Sequence, residues 1–347
     1  MATKSQNLLD YNKEELEALT TSLGQPRFRA AQLRGWLYRG VDFEEMTNLP
    51  ETFRKELKEN YVTGRLRIRR RLTSALDGTV KYLLSLGDGN FVESVLMKYK
   101  YGYSACVSTQ VGCKMGCSFC ASTQAGFVRN LTAGEILGQI ITMNTDLQIR
   151  TGHVVMMGIG EPLDNYENVV RFIRMARDTD GLGISCRNLS LSTCGLAERI
   201  VRLSEEGLPV TLSVSLHSPF DTQRSEMMPV NRKYPLDKLF DACNIYILNT
   251  GRRITYEYAL IEGINDSEAH AARLVSLLKG KLCHVNLIPV NRVEGTGYEK
   301  ASKKNISSFQ KTLAAGGINV TLRRTLGQDI EAACGQLRRA EDENRRQ

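Results

Sequence analysis

Cys113, Cys117 and Cys120 stand as C-x3-C-x2-C in the run Gly112-Cys113-Lys114-Met115-Gly116-Cys117-Ser118-Phe119-Cys120. Three thiolates so close together can hold three irons of a cubane iron–sulfur cluster, whereas a fully protein-ligated cluster takes four cysteines. The remaining iron is then open to a substrate. The known use of that opening at this spacing is to chelate the amino and carboxylate groups of S-adenosylmethionine (SAM) and cleave it to a 5′-deoxyadenosyl radical. Structural zinc prefers four ligands in C-x2-C-type pairs, and no second Cys or His pair lies nearby in the sequence. A disulfide needs an oxidising compartment, which nothing in the sequence suggests.

Further polar motifs follow at intervals. Met157-Gly158-Ile159-Gly160-Glu161-Pro162-Leu163 has glycines that permit close backbone approach to a ligand, with Gly160 and Glu161 as candidates to position the SAM amino group. Ser192 ends Leu189-Ser190-Leu191-Ser192-Thr193, and Ser215-Leu216-His217 and Asn291 (after Leu287-Ile288-Pro289) supply more short polar groups. Singly each is weak: a Gly-Glu-Pro can be a turn, and His217 a satisfied core histidine. Jointly they fall at the ends of successive predicted strands.

Those strands are 104–108, 153–157, 188–192, 211–216, 254–260, 284–288 and 320–323. Helical periodicity lies between them over 133–147, 166–178, 197–205, 236–248, 267–278 and 303–315. Six crossovers predict an α/β chain with a parallel, partial (β/α)6 barrel, whose chemistry gathers at the C-terminal ends of its strands. Before residue 100 the pattern differs. Helices are expected over 13–22, 27–39 and about 51–60, then short strands separated by the turn signals Asp77-Gly78 and Asp88-Gly89. Arg65, Arg67, Arg69 and Arg71 alternate with Leu66, Ile68 and Leu72, which predicts one basic and one apolar strand face. The basic face suits a phosphate backbone or plain solvation equally. The expected division is an N-terminal α+β accessory domain (1–100), a core (101–337) and a charged tail (338–347).

Composition fits a cytoplasmic enzyme with no membrane association. No apolar run reaches spanning length, and Met1–Asp10 lacks the apolar stretch of a signal peptide. The nine cysteines, an odd number without paired spacing, fit a reducing compartment. A net charge of +8 favours a polyanionic partner. Cys186, Cys194, Cys243 and Cys283 lack cluster spacing and are read as small apolar core residues.

The sequence resembles the RlmN/Cfr family of radical SAM RNA methyltransferases over almost its whole length. The resemblance rests on 106–113 with the cluster triad, Arg129-Asn130-Leu131-Thr132, the 157–163 motif, Ser215-Leu216-His217, Met228-Pro229-Val230-Asn231 and Ala333-Cys334-Gly335-Gln336-Leu337. The triad alone would indicate only the radical SAM superfamily; Cys106 together with Cys334 indicates this family. Arg292 and Ile159 depart from its usual proline and methionine.

The resemblance implies one [4Fe-4S] cluster held by Cys113, Cys117 and Cys120. It implies SAM, used twice per turnover, held by Gly160, Glu161, Ser192, Ser215, Leu216, His217 and Asn291. It further implies a methyl carried on Cys334, a resolving thiol Cys106 that forms a transient disulfide with Cys334, and Glu93 as proton acceptor. An adenine ring carbon is electron-poor and cannot attack a SAM methyl group directly, whereas a cysteine thiolate can. The implied targets are carbon 2 of an adenosine in 23S rRNA and of the adenosine 3′ to the anticodon in tRNA. A flavodoxin or ferredoxin would supply electrons to a monomeric enzyme. Two alternatives stay open: a carbon-8 methylase of the resistance branch, and a non-catalytic iron–sulfur RNA-binding sensor, which leaves the polar motifs and Cys334 without a purpose.

Overall fold

A computed structural model describes residues 6–124, 126–290 and 297–330. The first sixty or so residues are mainly helical. A short parallel pair, β1 (Gln6–Asn7) with β2 (Tyr61–Val62), brackets α1 (Lys13–Ser22), α2 (Phe28–Arg39) and α3 (Glu51–Asn60). Asn12 starts α1 by accepting from Glu15 N at 2.8 Å while Glu15 accepts from Asn12 N, so two otherwise orphaned amides are satisfied at once.

Strands β3 (Arg67–Thr73), β4 (Val80–Ser85), β5 (Phe91–Tyr99) and β6 (Gly102–Cys106) follow as an antiparallel meander. A small hairpin of β7 (Gln110–Gly112) and β8 (Phe127–Asn130) frames the cysteine loop and α4 (Ala121–Gln124). From there strand and helix alternate: α5 (Ala133–Leu147), β9 (Thr151–Met156), α6 (Tyr166–Arg177), β10 (Leu189–Thr193), α7 (Ala197–Glu205), β11 (Thr211–Ser215), α8 (Asp221–Met227), α9 (Leu236–Thr250), β12 (Ile254–Leu260), α10 (Glu268–Leu278), β13 (Cys283–Pro289), α11 (Lys303–Ala315) and β14 (Val320–Leu322).

All of the longer strands belong to one ten-stranded sheet, ordered β14-β13-β12-β11-β10-β9-β6-β5-β4-β3. Its run from β6 to β14 is parallel, a partial barrel, and the antiparallel strands before residue 100 extend the same sheet. The helix-facing side is apolar, with Val154, Leu191, Leu212, Val214, Tyr256 and Val285 in one continuous core with the helices. The other side is polar, carrying Ser190, Ser192, Ser213, Glu257 and Asn286. Residues directly opposite in the ladder share a face, so the polar rows align across strands.

The basic strand departs from strict alternation. A bulge between Ile68 and Arg70 inserts Arg69, after which Arg70 pairs with Leu83 and Arg71 with Tyr82. A bulge adds one residue to one strand and so reverses the facing of the residues beyond it. Arg67 and Arg70 therefore share a face with Leu83 and Glu93, while Arg71 turns to the helix side and meets Asp146 at 3.0 Å. Arg65 precedes the strand and donates to Gly40 O at 3.1 Å. Among the described residues no helix is long and apolar enough to cross a membrane.

Candidate active site

The loop between β7 and α4 places Cys113, Cys117 and Cys120 against one cavity of about 300 Å³ at the C-terminal strand ends, together with Gly160, Glu161, Ser192, Ser215 and His217. Ser118 N donates to Met227 O at 2.9 Å, and Met228 packs with Met115, Cys117 and Phe119. The Met228–Asn231 motif thus supports the cysteine loop.

Two glycines let the 157–163 loop reach this position. A Cβ on Gly158 would stand 2.6 Å from Val107 O. Gly160 has φ +110° and lies so close to Gln110 that a Cβ would meet its side chain at 2.6 Å. Glu161 is buried and accepts from Leu163 N at 2.9 Å and Cys194 N at 2.7 Å, which ties the ends of β9 and β10 together. Burial raises its carboxyl despite those donors. Leu216 is fully buried in the main core, between Ser215 and His217, which both line the cavity.

His217 sits in the left-handed region, φ 57°, with Nδ1 accepting from Ala259 N at 2.9 Å and Phe119 edge-on at 4.8 Å. Burial first, and the Arg224 guanidinium second, lower its pKa to about 3, so the imidazole is neutral. Arg224 itself is fully buried. It donates to Leu216 O at 3.0 Å, Cys194 O at 2.8 Å, Ser215 O at 2.9 Å and Asn231 Oδ1 at 2.6 Å, joining the ends of β10 and β11. Arg224 has no motif of its own in the sequence, nor does Glu257, a buried carboxylate of the same cavity that accepts from Asn286 Nδ2 at 2.8 Å.

Glu93 and Cys106 lie on the adjoining part of the polar face. Val95 is opposite Cys106, and Glu93 is two residues from Val95, so the two side chains are diagonal neighbours at roughly 7 Å between backbones. Cys106 clusters with Val95, Met97 and Met157, and Met157 also lines the cavity. Glu93 is buried beside Lys81, Oε2 to Nζ 3.1 Å. Ser108 fastens this corner, its hydroxyl donating to Glu93 O at 2.6 Å and accepting from Ile159 N at 3.0 Å. Asn291 and Cys334 lie outside the described residues, as does the 338–347 tail.

The donor set fits an iron–sulfur cluster. Burial pushes the Cys113 thiol up to about 12 and raises that of Cys117, and the neighbouring thiolates of the triad add to both. Positive metal charge would offset the cost of ionising these neighbouring buried thiols and hold the triad as thiolates. Among the described residues no three His, Cys, Asp or Glu side chains close on one point as around a single ion; a cubane spreads its ligands over separate corners.

A parallel partial barrel whose strand ends open onto a three-cysteine loop is the framework of a radical SAM enzyme. Residues 107–275 match the radical SAM superfamily, and residues 6–62 match the ribosomal RNA large subunit methyltransferase N-terminal domain. Among relatives, a protein of Alkaliphilus oremlandii named as a probable dual-specificity RNA methyltransferase RlmN is 49% identical over 97% of this chain and 99% of its own. One of the same name from Thermoanaerobacter is 48% identical over 96% and 98%. A crystallised radical SAM methyltransferase from Sphaerobacter thermophilus is 43% identical and superposes with a TM-score of 0.92 over 95% of this chain and 98% of its own. The chain belongs to the RlmN family of radical SAM RNA methyltransferases. Membership implies a [4Fe-4S] cluster and SAM.

Proposed function

We propose that this RNA methyltransferase acts in the cytoplasm on carbon 2 of one adenosine in 23S rRNA and of the adenosine 3′ to the anticodon in tRNA. The observation that carries the reading is the shared sheet face: Glu93 and Cys106 are diagonal neighbours beside the three-cysteine cavity. The dual specificity in the relatives' names supports two RNA classes. Pro162 and Cys120-Ala121-Ser122-Thr123 favour the carbon-2 over the carbon-8 branch.

The cluster and SAM, when bound, supply a 5′-deoxyadenosyl radical. Cys113, Cys117 and Cys120 hold the cluster, while Gly160, Glu161, Ser192, Ser215, Leu216, His217 and Asn291 surround SAM. Cys334, as thiolate, takes a methyl group from a first SAM, and that methyl gives up one hydrogen atom to the radical before its carbon bonds to the adenine. Glu93 accepts the ring proton. The Cys106 thiolate then attacks the Cys334 sulfur and breaks its bond to the transferred carbon, which takes up a proton to become the product's methyl group, leaving a disulfide between the two cysteines. A flavodoxin or ferredoxin supplies electrons, and the enzyme works as a monomer. Residues 1–100 grip the RNA and supply Glu93, while 101–337 carry the rest of the chemistry.

The test separates the two thiols. Cys334→Ala cannot accept the first methyl and forms no adduct. Cys106→Ala is methylated, adds to adenine and stalls, accumulating protein joined to RNA as a nuclease-sensitive mass shift on a denaturing gel. Absence of adduct in both variants would remove Cys106 from this role.

A further inference from the structure

β14 is one edge of the ten-stranded sheet and β3 is the other. The chain leaves β14 at Leu322, and by Asp329 it is tied to the turn between β3 and β4 at the opposite edge. Ser74 Oγ and Ala75 N donate to the two carboxylate oxygens of Asp329 at 2.6 and 2.8 Å. Gly327 N donates to Asp77 Oδ2 at 2.8 Å, and Thr79 N holds the other oxygen of Asp77 at 2.9 Å. Gly327 adopts φ 63°, which a side chain would strain, and so turns its amide toward Asp77. Between the two ends, Leu326 packs on the Val95, Met97 and Cys106 cluster. The segment crosses the open side of the partial barrel over the face that carries Glu93 and Cys106.

Hydrogen bonds from amides and a hydroxyl to a carboxylate are charge-assisted and directional. Four of them converge here on two aspartates that no step of the proposed chemistry employs. Cys334 follows Asp329 by five residues, so covalent geometry keeps it within about 18 Å of that anchor. We propose that Asp77 and Asp329 form a clasp, a pair of positioning residues that seat the C-terminal arm across the reactive face and thereby set where Cys334 is delivered. This rests on the reading of Cys334 as methyl carrier. An anchored arm holds the thiolate at high effective concentration near its methyl donor, and even a small misplacement costs rate steeply.

The experiment uses the full-length, cluster-reconstituted protein as wild type, Asp329→Ala, Asp329→Asn and Cys334→Ala. Hydrogen exchange over 323–330 and trypsin cleavage after the exposed Arg323 and Arg324 report the arm directly. Protein mass reports methylation of Cys334, and a transcript of the target rRNA hairpin reports turnover. In Asp329→Ala the arm should exchange and cleave faster, and methylation and turnover should fall about 10- to 100-fold. RNA-free reductive cleavage of SAM should stay at the wild-type level, and Asp329→Asn, which keeps one acceptor, should recover part of the loss. An arm as protected in Asp329→Ala as in wild type overturns the clasp, as does a released arm with unimpaired methylation. Failure of the methyl-carrier reading looks different: Cys334→Ala would turn over while Asp329→Ala still released the arm, which overturns delivery of Cys334 as the clasp's purpose.

Discussion

Lys81 Nζ lies 3.1 Å from Glu93 Oε2 with side chains 0% and 2% exposed, on the sheet face that carries Cys106. Opposite charges this far from water compensate each other, and removing one takes that compensation away from its partner. The ammonium also fixes the direction in which the carboxylate points. A base that must meet one ring proton needs that constraint.

Lys81→Met should therefore destabilise the fold by about 3–5 kcal/mol, and the double variant Lys81→Met/Glu93→Leu should regain much of the loss, since an apolar pair leaves no buried charge. Turnover should remain absent in the double variant. Urea unfolding and single-turnover assays on the same preparations check both. A refolded but active double variant would exclude Glu93 as the proton acceptor.

The bulge in β3 divides the arginines by face. Neutralising Arg67 and Arg70, which share the face of Glu93, should weaken RNA binding and reduce its slope against log salt by nearly one for every phosphate that the protein no longer neutralises. Arg71→Gln, on the helix side against Asp146, should leave that slope unchanged. Binding titrations across a salt series distinguish them, and equal slopes would return the strand to a solvated face.

Three thiolates leave the proposed cluster no spare ligand. Replacing any one of Cys113, Cys117 or Cys120 by Ala should prevent stable cluster assembly and SAM cleavage. A Cys117→Ala protein with a full iron content and a normal absorption spectrum would show the assignment to be wrong.

Arg129 gives an acid-dependent element. It meets Asp88 at 2.6 Å and Glu135 at 2.7 Å, joining the β4–β5 turn to the start of α5. Burial alone would raise the Asp88 carboxyl, but Arg129 and Asn90 together hold it well below the usual range. A lowered carboxyl contributes stability above its unfolded value, about 3.9, and loses it as pH falls toward the folded one. The Tm advantage of wild type over Asp88→Asn should hold near neutral pH and shrink below about pH 4. A constant gap down to pH 3 would disprove the linkage.

Much of the local structure was legible. Helices α1, α5, α7 and α11 and strand β12 span the ranges their periodicity indicates, because capping residues and apolar spacing act within a few residues of each other. The arginine alternation misled because a bulge is set by pairing with β4, which the strand's own residues do not reveal. Lys81 carries no motif in the sequence, and its pairing with Glu93 arises only when β4 and β5 align. Arg224 and Glu257 were likewise silent, since their partners come from other strand ends.

By itself the sequence determined the cysteine loop, the order of the parallel strands and their crossover helices (α8 apart), and the polar groups available at strand ends, since covalent spacing and side-chain period suffice for these. Only the tertiary structure decided which of those groups face one another. Ladder register put Glu93 diagonal to Cys106, burial paired Lys81 with Glu93, and sheet curvature brought Asp329 to Ser74 and Ala75 from the far edge. Such contacts depend on strand register and on the packing of the whole sheet, and neither is encoded within any short window of the chain.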